Sequence, residues 1–299
     1  MLVARQLKEL FISLRPHQWT KNLVVLAALV FAERLFHVPS ILAAGTAFVI
    51  FCMLSGAVYL VNDLTDLVGD RNHPVKRDRP LASGRLSPRV AVTGVVLFFA
   101  GGLAGAWWLG RDLAVVAAIY SVTMVAYSFA LKNVVILDVL VVAFGFVLRA
   151  IAGALAIHVA FSNWLLICTW LLALFLALAK RRHELTLLAG EAAGHRRILG
   201  EYSPYLLDQM IAVVTASTLV SYALYTSAPE TVAKFGTDRL VWTLPFVLYG
   251  IFRYLYLVHR KEEGGNPTKV LLNDRPILMT VALWAASIVT LIYHGNRAG

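Results

Sequence analysis

The sequence predicts an all-α, polytopic membrane protein: a bundle of nine transmembrane helices preceded by an amphipathic N-terminal helix. Of its 299 residues, 59% are hydrophobic and only 15% are charged, whereas soluble domains average about 45–50% and about 25%. Apolar runs recur along the chain, each near the roughly 20 residues that a bilayer requires. Lys and Arg gather in alternate connections between these runs, which is typical of a polytopic membrane protein.

The N-terminal segment, residues 1–14, alternates Leu, Phe and Ile with Arg5, Lys8 and Glu9. This pattern predicts a short helix lying on the membrane surface. Residues 1–15 lack the apolar region and cleavage site of a signal peptide. Nine spans follow, with predicted bounds 20–36, 40–62, 88–109, 112–131, 134–157, 162–179, 206–227, 239–258 and 276–294.

The basic residues predict the orientation of the bundle. Of the 27 Lys and Arg residues, 21 fall on the membrane face that also holds the N-terminus. Five fall on the opposite face, and one, Arg149, lies inside a span. The positive-inside rule then places the N-terminus and the long loops, 69–88, 180–204 and 260–276, in the cytoplasm. We expect one domain over residues 1–299 in a bacterial inner (plasma) membrane. The net charge of +10 is assigned to these loops rather than to nucleic-acid binding.

The two cysteines carry no chemistry in this interpretation. Cys52 and Cys168 both lie inside apolar runs, so we interpret them as small buried residues without a disulfide or a metal motif. His17, His158 and His259 lack the spacing of metal ligands, and Asp208 is interpreted as a charge near a helix N-terminus.

Three acids at the end of the second span give the sharpest motif. Asp63, Asp66 and Asp70 are spaced i, i+3, i+7, which places them on one helix face. Carboxylates so close repel one another unless a cation lies among them, and hard divalent cations bind such oxygen clusters. A metal-bound polyphosphate is therefore the first hypothesis, and a solvated charged helix end is the alternative.

Basic residues follow these acids in the same loop: Lys76, Arg77, Arg79 and Arg85. They cannot all reach the carboxylates, and a diphosphate bridged by Mg²⁺ would accept hydrogen bonds from those that remain. Pro74 and Pro80 restrict the loop backbone.

Other ionisable residues have two interpretations each. Arg149, inside the fifth span, is either a phosphate ligand or the partner of Asp138 or of an acid on another span. Lys132 either binds phosphate or extends to the membrane surface. Lys180, Arg181 and Glu184 at the end of the sixth span either form a site or pair with one another on the helix.

Together these residues resemble the UbiA-type superfamily of intramembrane prenyltransferases. The resemblance rests on Asn62-Asp63-x-x-Asp66-x-x-x-Asp70, on Lys76-Arg77-x-Arg79-Pro80-x-Ala82-Ser83-Gly84, and on the nine predicted spans with long cytoplasmic loops. The superfamily normally has a second pair of aspartates in its second loop. This chain has Lys180-Arg181-Arg182-His183-Glu184-Leu185 there instead.

In this departure the sequence resembles one branch of the superfamily, the decaprenyl-phosphate phosphoribosyltransferases. Four motifs carry the similarity: Arg15-Pro16-x-Gln18-Trp19-x-Lys21-Asn22, Lys180-Arg181-x-x-Glu184-Leu185, Tyr202-Ser203-x-Tyr205-Leu206 and Asp274-Arg275. The resemblance implies Mg²⁺-dependent transfer of 5-phosphoribose from phosphoribosyl diphosphate to a polyprenyl phosphate, for cell-wall arabinan precursors, with Mn²⁺ as a substitute metal. It also implies a homo-oligomer, a trimer.

The residues then take expected roles in such a reaction. Asp63, Asp66 and Asp70 hold the metal, and Lys76 and Glu184 complete the catalytic set. The substrate-binding set is Arg15, Lys21, Asn22, Asn62, Arg77, Arg79, Lys132, Arg149, Lys180 and Arg181. Two alternatives remain: transfer of a prenyl group from a prenyl diphosphate to an aromatic or quinone precursor, and a membrane transporter or lipid-binding protein.

Overall fold

The computed structural model describes residues 2–160, 162–187, 197–260, 270 and 273–295. The chain divides into two compact units, Met1–Ala160 and Phe161–Gly299. Throughout the described residues the regular structure is helical, as the sequence predicts. The predicted loops 180–204 and 260–276 lie partly outside the described residues.

The first unit contains seven α-helices and three 3₁₀ segments. The α-helices are α1 Leu2–Ser13, α2 Ala27–Phe31, α3 Val38–Thr65, α4 Leu67–Asn72, α5 Pro88–Leu109, α6 Arg111–Phe129 and α7 Leu137–Ala156. The 3₁₀ segments are Pro16–Leu26, Lys76–Asp78 and Leu131–Asn133.

Helix α3 lies at the centre of this unit and contacts α5, α6, α7 and the segment Pro16–Leu26. Its length of 28 residues and its near-uniform apolar sequence allow it to be covered on several sides. The core there includes Phe51, Leu54, Tyr120 and Leu148. The Phe51 and Tyr120 rings lie 5.2 Å apart between centroids.

The second unit contains five described α-helices: α8 Asn163–Leu187, α9 Pro204–Ser227, α10 Pro229–Phe235, α11 Leu244–Arg260 and α12 Arg275–Gly295. Helices α8 and α9 pack together, and α11 packs on α12. The interior of the second unit contains a short hydrogen-bond network. Trp284 Nε1 donates to the Tyr222 hydroxyl at 2.9 Å, and that hydroxyl lies 2.6 Å from Thr243 Oγ1.

Eight stretches in the described part of the chain are long and apolar enough to cross a membrane, which makes this an integral membrane protein. They coincide with eight of the nine predicted spans. The other predicted span, 20–36, is a 3₁₀ segment followed by the five-residue α2, so the number of nine stays a prediction. The helix of the sixth span extends to Leu187, beyond the predicted end at 179, and Lys180 and Arg181 pair with Glu184 on this extension.

The surface helix and the cysteines can also be compared with the prediction. Helix α1 has an exposed apolar stripe of Val3, Leu7 and Phe11, as an amphipathic surface helix requires.

Both cysteines are free; Cys52 is buried and Cys168 is partly exposed. The interpretation of the cysteines as small buried residues therefore holds for Cys52, and Cys168 is less enclosed than predicted.

Candidate active site

The three acids lie where α3 ends and α4 begins. Asp63 is buried in the last turn of α3, Asp66 is the junction residue, and Asp70 is buried in α4. Helical hydrogen bonds continue through the junction, since Asp66 N donates to Asn62 O at 3.0 Å and Asp70 N to Asp66 O at 2.8 Å. The spacing in the sequence therefore remains a helical spacing in the structure.

Arg79 joins two of these acids. Its Nη1 atom lies 3.1 Å from Asp63 Oδ1 and 2.5 Å from Asp70 Oδ2, so Asp63 and Asp70 face the same point. Lys76 Nζ adds a longer contact of 3.9 Å to Asp70 Oδ1. Two of the basic residues that follow the acids thus reach them.

Arg15, 48 residues before Asp63 in the sequence, contributes a second guanidinium. Its Nη2 lies 2.5 Å from Asp63 Oδ1, and its guanidinium carbon lies 4.8 Å from the centroid of the Tyr59 ring. The backbone of Arg15 is left-handed, with φ of 54°. Such a conformation is uncommon for a residue with a Cβ, and here it starts the segment Pro16–Leu26.

Asp66 turns to a different cation. Lys132 Nζ lies 2.5 Å from Asp66 Oδ1, and Asn62 Nδ2 donates to Asp66 Oδ2 at 3.1 Å. The side chain of Lys132 is only 12% exposed, so it extends to the acid and not to the membrane surface. Residues 131–133, which hold it, form a 3₁₀ turn, and Ile136 just beyond has a φ of 70°.

Helix α1 fixes the loop that carries Arg79. Gln6 Nε2 donates to Arg85 O at 2.8 Å, and Ser87 N donates to Gln6 Oε1 at 2.9 Å. Arg85 also pairs with Glu9 at 3.2 Å. The amphipathic helix therefore supports the loop as well as presenting an apolar face.

Arg149 is buried and is held by uncharged groups. Its Nε donates to Asn22 Oδ1 at 2.7 Å, its Nη2 to the Tyr120 hydroxyl at 2.7 Å and its Nη1 to Gly145 O at 3.0 Å. Its guanidinium also lies over the Tyr120 ring. Among the described residues it makes no ion pair, so the predicted alternative of pairing with Asp138 is wrong.

Lys21 lies close enough to Arg149 and Arg15 for their charges to interact with it. It forms no ion pair with any residue that the structure describes. Partial burial, together with the charges of Arg15 and Lys21, lowers the pKa of His17. This end of the segment Pro16–Leu26 is therefore strongly electropositive.

Close backbone packing places that segment. A Cβ atom at Gly153 of α7 would lie 2.0 Å from Val25 O, so only glycine lets α7 and the segment approach this closely. Asn22, one turn earlier, donates to Ser55 Oγ at 3.2 Å and to Cys52 Sγ at 3.3 Å. Lys21 is thus carried on a segment fixed to both α3 and α7.

Arg77 does not take part in the cluster around Asp63, Asp66 and Asp70. It is exposed in the 3₁₀ turn Lys76–Asp78, and its side chain makes no ion pair within the described part of the chain. Its predicted phosphate-binding role stays a prediction.

The sequence-predicted residues of the second unit pair locally on α8. Arg181 Nη1 lies 2.5 Å from Glu184 Oε2, and Lys180 Nζ lies 3.5 Å from Glu184 Oε1. The predicted helical pairing is therefore present, and whether these residues also act on substrate stays a prediction.

Two ion-pair groups of this unit were missed by sequence reasoning. Asp208 accepts from Arg182 Nε at 2.5 Å and lies 3.2 Å from His259 Nε2, so it is more than a charge near a helix start. Asp274 pairs with Arg253 at 2.8 Å and caps α12 by accepting from Ile277 N at 2.9 Å. The hydrogen bond from Arg253 lowers the pKa of Asp274.

Two of the three acids lie close enough together to share a cation. No three His, Cys, Asp or Glu side chains converge closely enough to hold a metal ion anywhere in the described ranges. Asp63 and Asp70, however, already share one cationic nitrogen between them. Mg²⁺ needs only one or two carboxylates when phosphate oxygens complete its shell, so this pair fits the ion.

Comparison with known proteins identifies relatives over most of the chain. Residues 22–283 match the model of the UbiA prenyltransferase family. The decaprenyl-phosphate phosphoribosyltransferase of Mycobacterium tuberculosis is 33% identical over 287 residues, 95% of this chain and 94% of that protein. The decaprenyl-phosphate phosphoribosyltransferase of Corynebacterium glutamicum is 34% identical over 290 residues, which cover 94% of this chain and 86% of that protein.

Solved structures agree on the fold. A UbiA homologue from Archaeoglobus fulgidus, bound to DMAPP and Mg²⁺, aligns with a TM-score of 0.72 at 17% identity, covering 97% of this chain and 100% of that one. The likeness in fold and the match over most of the sequence lead to one conclusion. The chain belongs to the UbiA prenyltransferase family.

Proposed function

We propose that this chain transfers 5-phosphoribose from phosphoribosyl diphosphate to a polyprenyl phosphate, such as decaprenyl phosphate, and releases diphosphate. The reaction is Mg²⁺-dependent, with Mn²⁺ as a substitute, and supplies a precursor of cell-wall arabinan. The curated relatives named decaprenyl-phosphate phosphoribosyltransferase support this assignment because the similarity covers nearly their whole length.

The observation that carries the proposal is a surplus of positive charge beside the acids. Arg15, Arg79, Lys76 and Lys132 already pair with the three carboxylates, and Lys21 and Arg149 add charge without an acid partner among the described residues. A donor with a diphosphate and a 5-phosphate, together with an acceptor phosphate, needs more cations than a neutral aromatic acceptor does. The charge balance therefore favours two anionic substrates.

Each group of residues then has a role. Asp63 and Asp70 hold the metal on the diphosphate, and Asp66 joins them when Lys132 turns to a phosphate. Lys76, Arg77 and Arg79 bind phosphate oxygens as charged hydrogen-bond donors. Lys180, Arg181 and Glu184 lie in the second unit, and their part in the reaction stays a prediction.

The chemistry demands little acid–base assistance from the protein. An oxygen of the acceptor phosphate, already ionised at neutral pH, attacks the anomeric carbon of ribose while the bond from that carbon to the diphosphate oxygen breaks. The bonding electrons leave with the diphosphate, through an oxocarbenium-like state. The arginines and lysines stabilise the departing charge. Mg²⁺, when bound, neutralises further charge on the diphosphate.

The alternative donor is a prenyl diphosphate. It is favoured by one observation, the DMAPP in the Archaeoglobus fulgidus homologue that shares the fold. The transporter hypothesis is weaker, because the chain belongs to a family of transferases.

A transfer assay separates the two donors. Purified protein is given Mg²⁺, radiolabelled phosphoribosyl diphosphate, a prenyl diphosphate, a polyprenyl phosphate and an aromatic acceptor. We expect label in the lipid phase and unchanged prenyl diphosphate. Label that stays in water while prenyl diphosphate is consumed would reverse the assignment.

Asp66→Asn tests the metal-binding acids in the same assay. We expect it to abolish transfer while the protein remains folded in detergent. Asp112→Asn, at an exposed acid at the start of α6, is the matched control and should transfer normally. Near-normal transfer by Asp66→Asn would exclude the metal role of that residue.

The location of the reaction follows from the charges. The donor is a water-soluble metabolite, and the excess of Lys and Arg supports an orientation with the N-terminus and the acid cluster on the cytoplasmic side of a bacterial inner membrane. The homo-oligomer, a trimer by resemblance, stays a prediction that cross-linking in membranes would test.

A further inference from the structure

We propose that Arg79 is an internal counter-cation that occupies the place of the metal between Asp63 and Asp70 and yields it only when the metal arrives with a diphosphate. One nitrogen, Arg79 Nη1, contacts an oxygen of both acids. A divalent metal held by Asp63 and Asp70 would need carboxylate oxygens at the point where Arg79 now binds, so the arginine and the metal would compete.

The charges of the cluster determine whether Arg79 or the metal binds Asp63 and Asp70. Three carboxylates face four cations, which are Arg15, Lys76, Arg79 and Lys132. A bare divalent ion therefore meets acids whose charge is already balanced, and a neighbourhood that repels it. A diphosphate changes this balance, because its oxygens accept the hydrogen bonds that the displaced cations would otherwise lose.

The side chain of Arg79 has room to move away from the acids. Its side chain is 24% exposed, whereas its backbone is fixed: Arg79 N donates to Lys76 O at 3.0 Å, and Ser83 N and Oγ both donate to Arg79 O. A change of side-chain rotamer is thus enough to carry the guanidinium from carboxylate to phosphate. Arg15 is more constrained, since it lies over the Tyr59 ring and starts the segment Pro16–Leu26.

The consequence is cooperative binding: metal and diphosphate enter together, and each is weak alone. This rests on the part of the proposed function in which Asp63 and Asp70 hold a divalent metal. It does not depend on whether the diphosphate carries phosphoribose or a prenyl chain. A probe without either group, inorganic diphosphate, therefore suffices.

Equilibrium dialysis of the full chain in detergent against Mn²⁺ measures this directly, with retained metal as the readout. We expect wild type to bind Mn²⁺ weakly, and about tenfold or more tightly once inorganic diphosphate is present, a typical size for coupling between two ligands. Arg79→Gln should bind Mn²⁺ alone about tenfold more tightly than wild type, and diphosphate should then add little.

Matched variants keep the result interpretable. Arg71→Gln removes the same charge from the exposed end of α4, outside the carboxylate cluster, and should behave as wild type. Arg79→Lys keeps the charge but loses the shared nitrogen geometry, and should fall between wild type and Arg79→Gln. Should Arg79→Gln fail to fold, wild type alone decides, since Mn²⁺ affinity that is independent of diphosphate overturns the proposal.

The remaining outcomes are distinct. Equal Mn²⁺ binding by wild type and Arg79→Gln in the absence of diphosphate overturns the role of Arg79. Loss of cooperative Mn²⁺ binding in Asp63→Asn supports the metal site. Cooperative binding in a protein that fails to transfer phosphoribose would leave this inference standing and reject the donor.

Discussion

Two charged clusters of this protein differ in how they are assembled. The cluster at the end of α3 takes its acids from one short stretch but its cations from several: Arg15 is 48 residues from Asp63, and Lys132 is 66 residues from Asp66. The cluster on α8 pairs Lys180 and Arg181 with Glu184, four and three residues away. The first brings together residues that are distant in the sequence, whereas these pairs of the second join residues within about one turn of α8.

This difference separates binding from helix stability. Long-range pairs between buried or half-buried groups hold several segments in one geometry, which a ligand for those groups requires. Pairs one turn apart on a helix add a few tenths of a kcal/mol to that helix. The cluster on α3 therefore has the organisation of a site, and the following changes test that contrast from the largest effect to the smallest.

Asp63→Asn should lower the rate of transfer on the order of 10³-fold, because it removes one metal ligand and the shared partner of two arginines. Asp112→Asn is the control, as above. Steady-state transfer by Glu184→Gln gives the comparison with α8. A loss in Glu184→Gln as large as that in Asp63→Asn would show that the local cluster is as essential as the long-range one.

Gly153→Ala tests the backbone contact that places Lys21 and Asn22. A Cβ there lies 2.0 Å from Val25 O, so the segment must shift, and we expect about 1–3 kcal/mol of destabilisation with a raised KM. Gly45→Ala is the matched control in α3, since a Cβ at Gly45 meets nothing within 4 Å and alanine favours a helix. Thermal unfolding in detergent should show Gly153→Ala alone unfolding earlier; equal midpoints would contradict the contact.

Double-mutant cycles compare the two kinds of ion pair directly. We expect a coupling of about 1–2 kcal/mol for Asp66→Asn with Lys132→Met, because the lysine is nearly buried. For Glu184→Gln with Lys180→Met we expect about 0.3–0.5 kcal/mol, since Lys180 is exposed. Unfolding free energies measured by denaturant titration give both coupling energies. Equal couplings would mean that the long-range pair and the local pair do not differ in strength.

The smallest effect concerns Asp274, a long-range pair of the second unit. Because Arg253 lowers the pKa of Asp274, its contribution to stability is present above the ordinary aspartate value of about 4 and is lost as pH falls through the lowered value. We expect Asp274→Asn to be less stable than wild type at neutral pH and to approach the stability of wild type as the pH falls below about 4. A constant difference in unfolding midpoint across that range would mean that the carboxylate charge contributes nothing.

Much of this organisation is visible in the sequence because it is local. Hydrophobic runs set eight of the spans, and the spacing of Asp63, Asp66 and Asp70 places the acids in a helical register. The pairing of Lys180 with Glu184 needs only the helix period. These features depend on residues within a few turns of one another.

The partners of the acids are not visible in the same way. Arg15 and Lys132 reach Asp63 and Asp66 through the packing of α3 against other elements, which no spacing encodes. Arg149 illustrates this most clearly, since its position inside a span predicts either a phosphate ligand or the partner of an acid, and the structure adds hydrogen bonds to Asn22 and Tyr120 that no spacing indicates. The 3₁₀ segment Pro16–Leu26 was also hidden, because its last residues belong to the continuous apolar run 23–32, which is typical of a span.

The central claim is that this site transfers phosphoribose to a lipid phosphate. The most direct measurement is mass spectrometry of the lipid product, formed by purified protein with Mg²⁺ from equal amounts of phosphoribosyl diphosphate and a prenyl diphosphate, with both acceptor classes present. The account predicts a polyprenyl phosphate carrying one phosphoribosyl group, absent in Asp63→Asn. A prenylated aromatic product, with the polyprenyl phosphate unchanged, would contradict it.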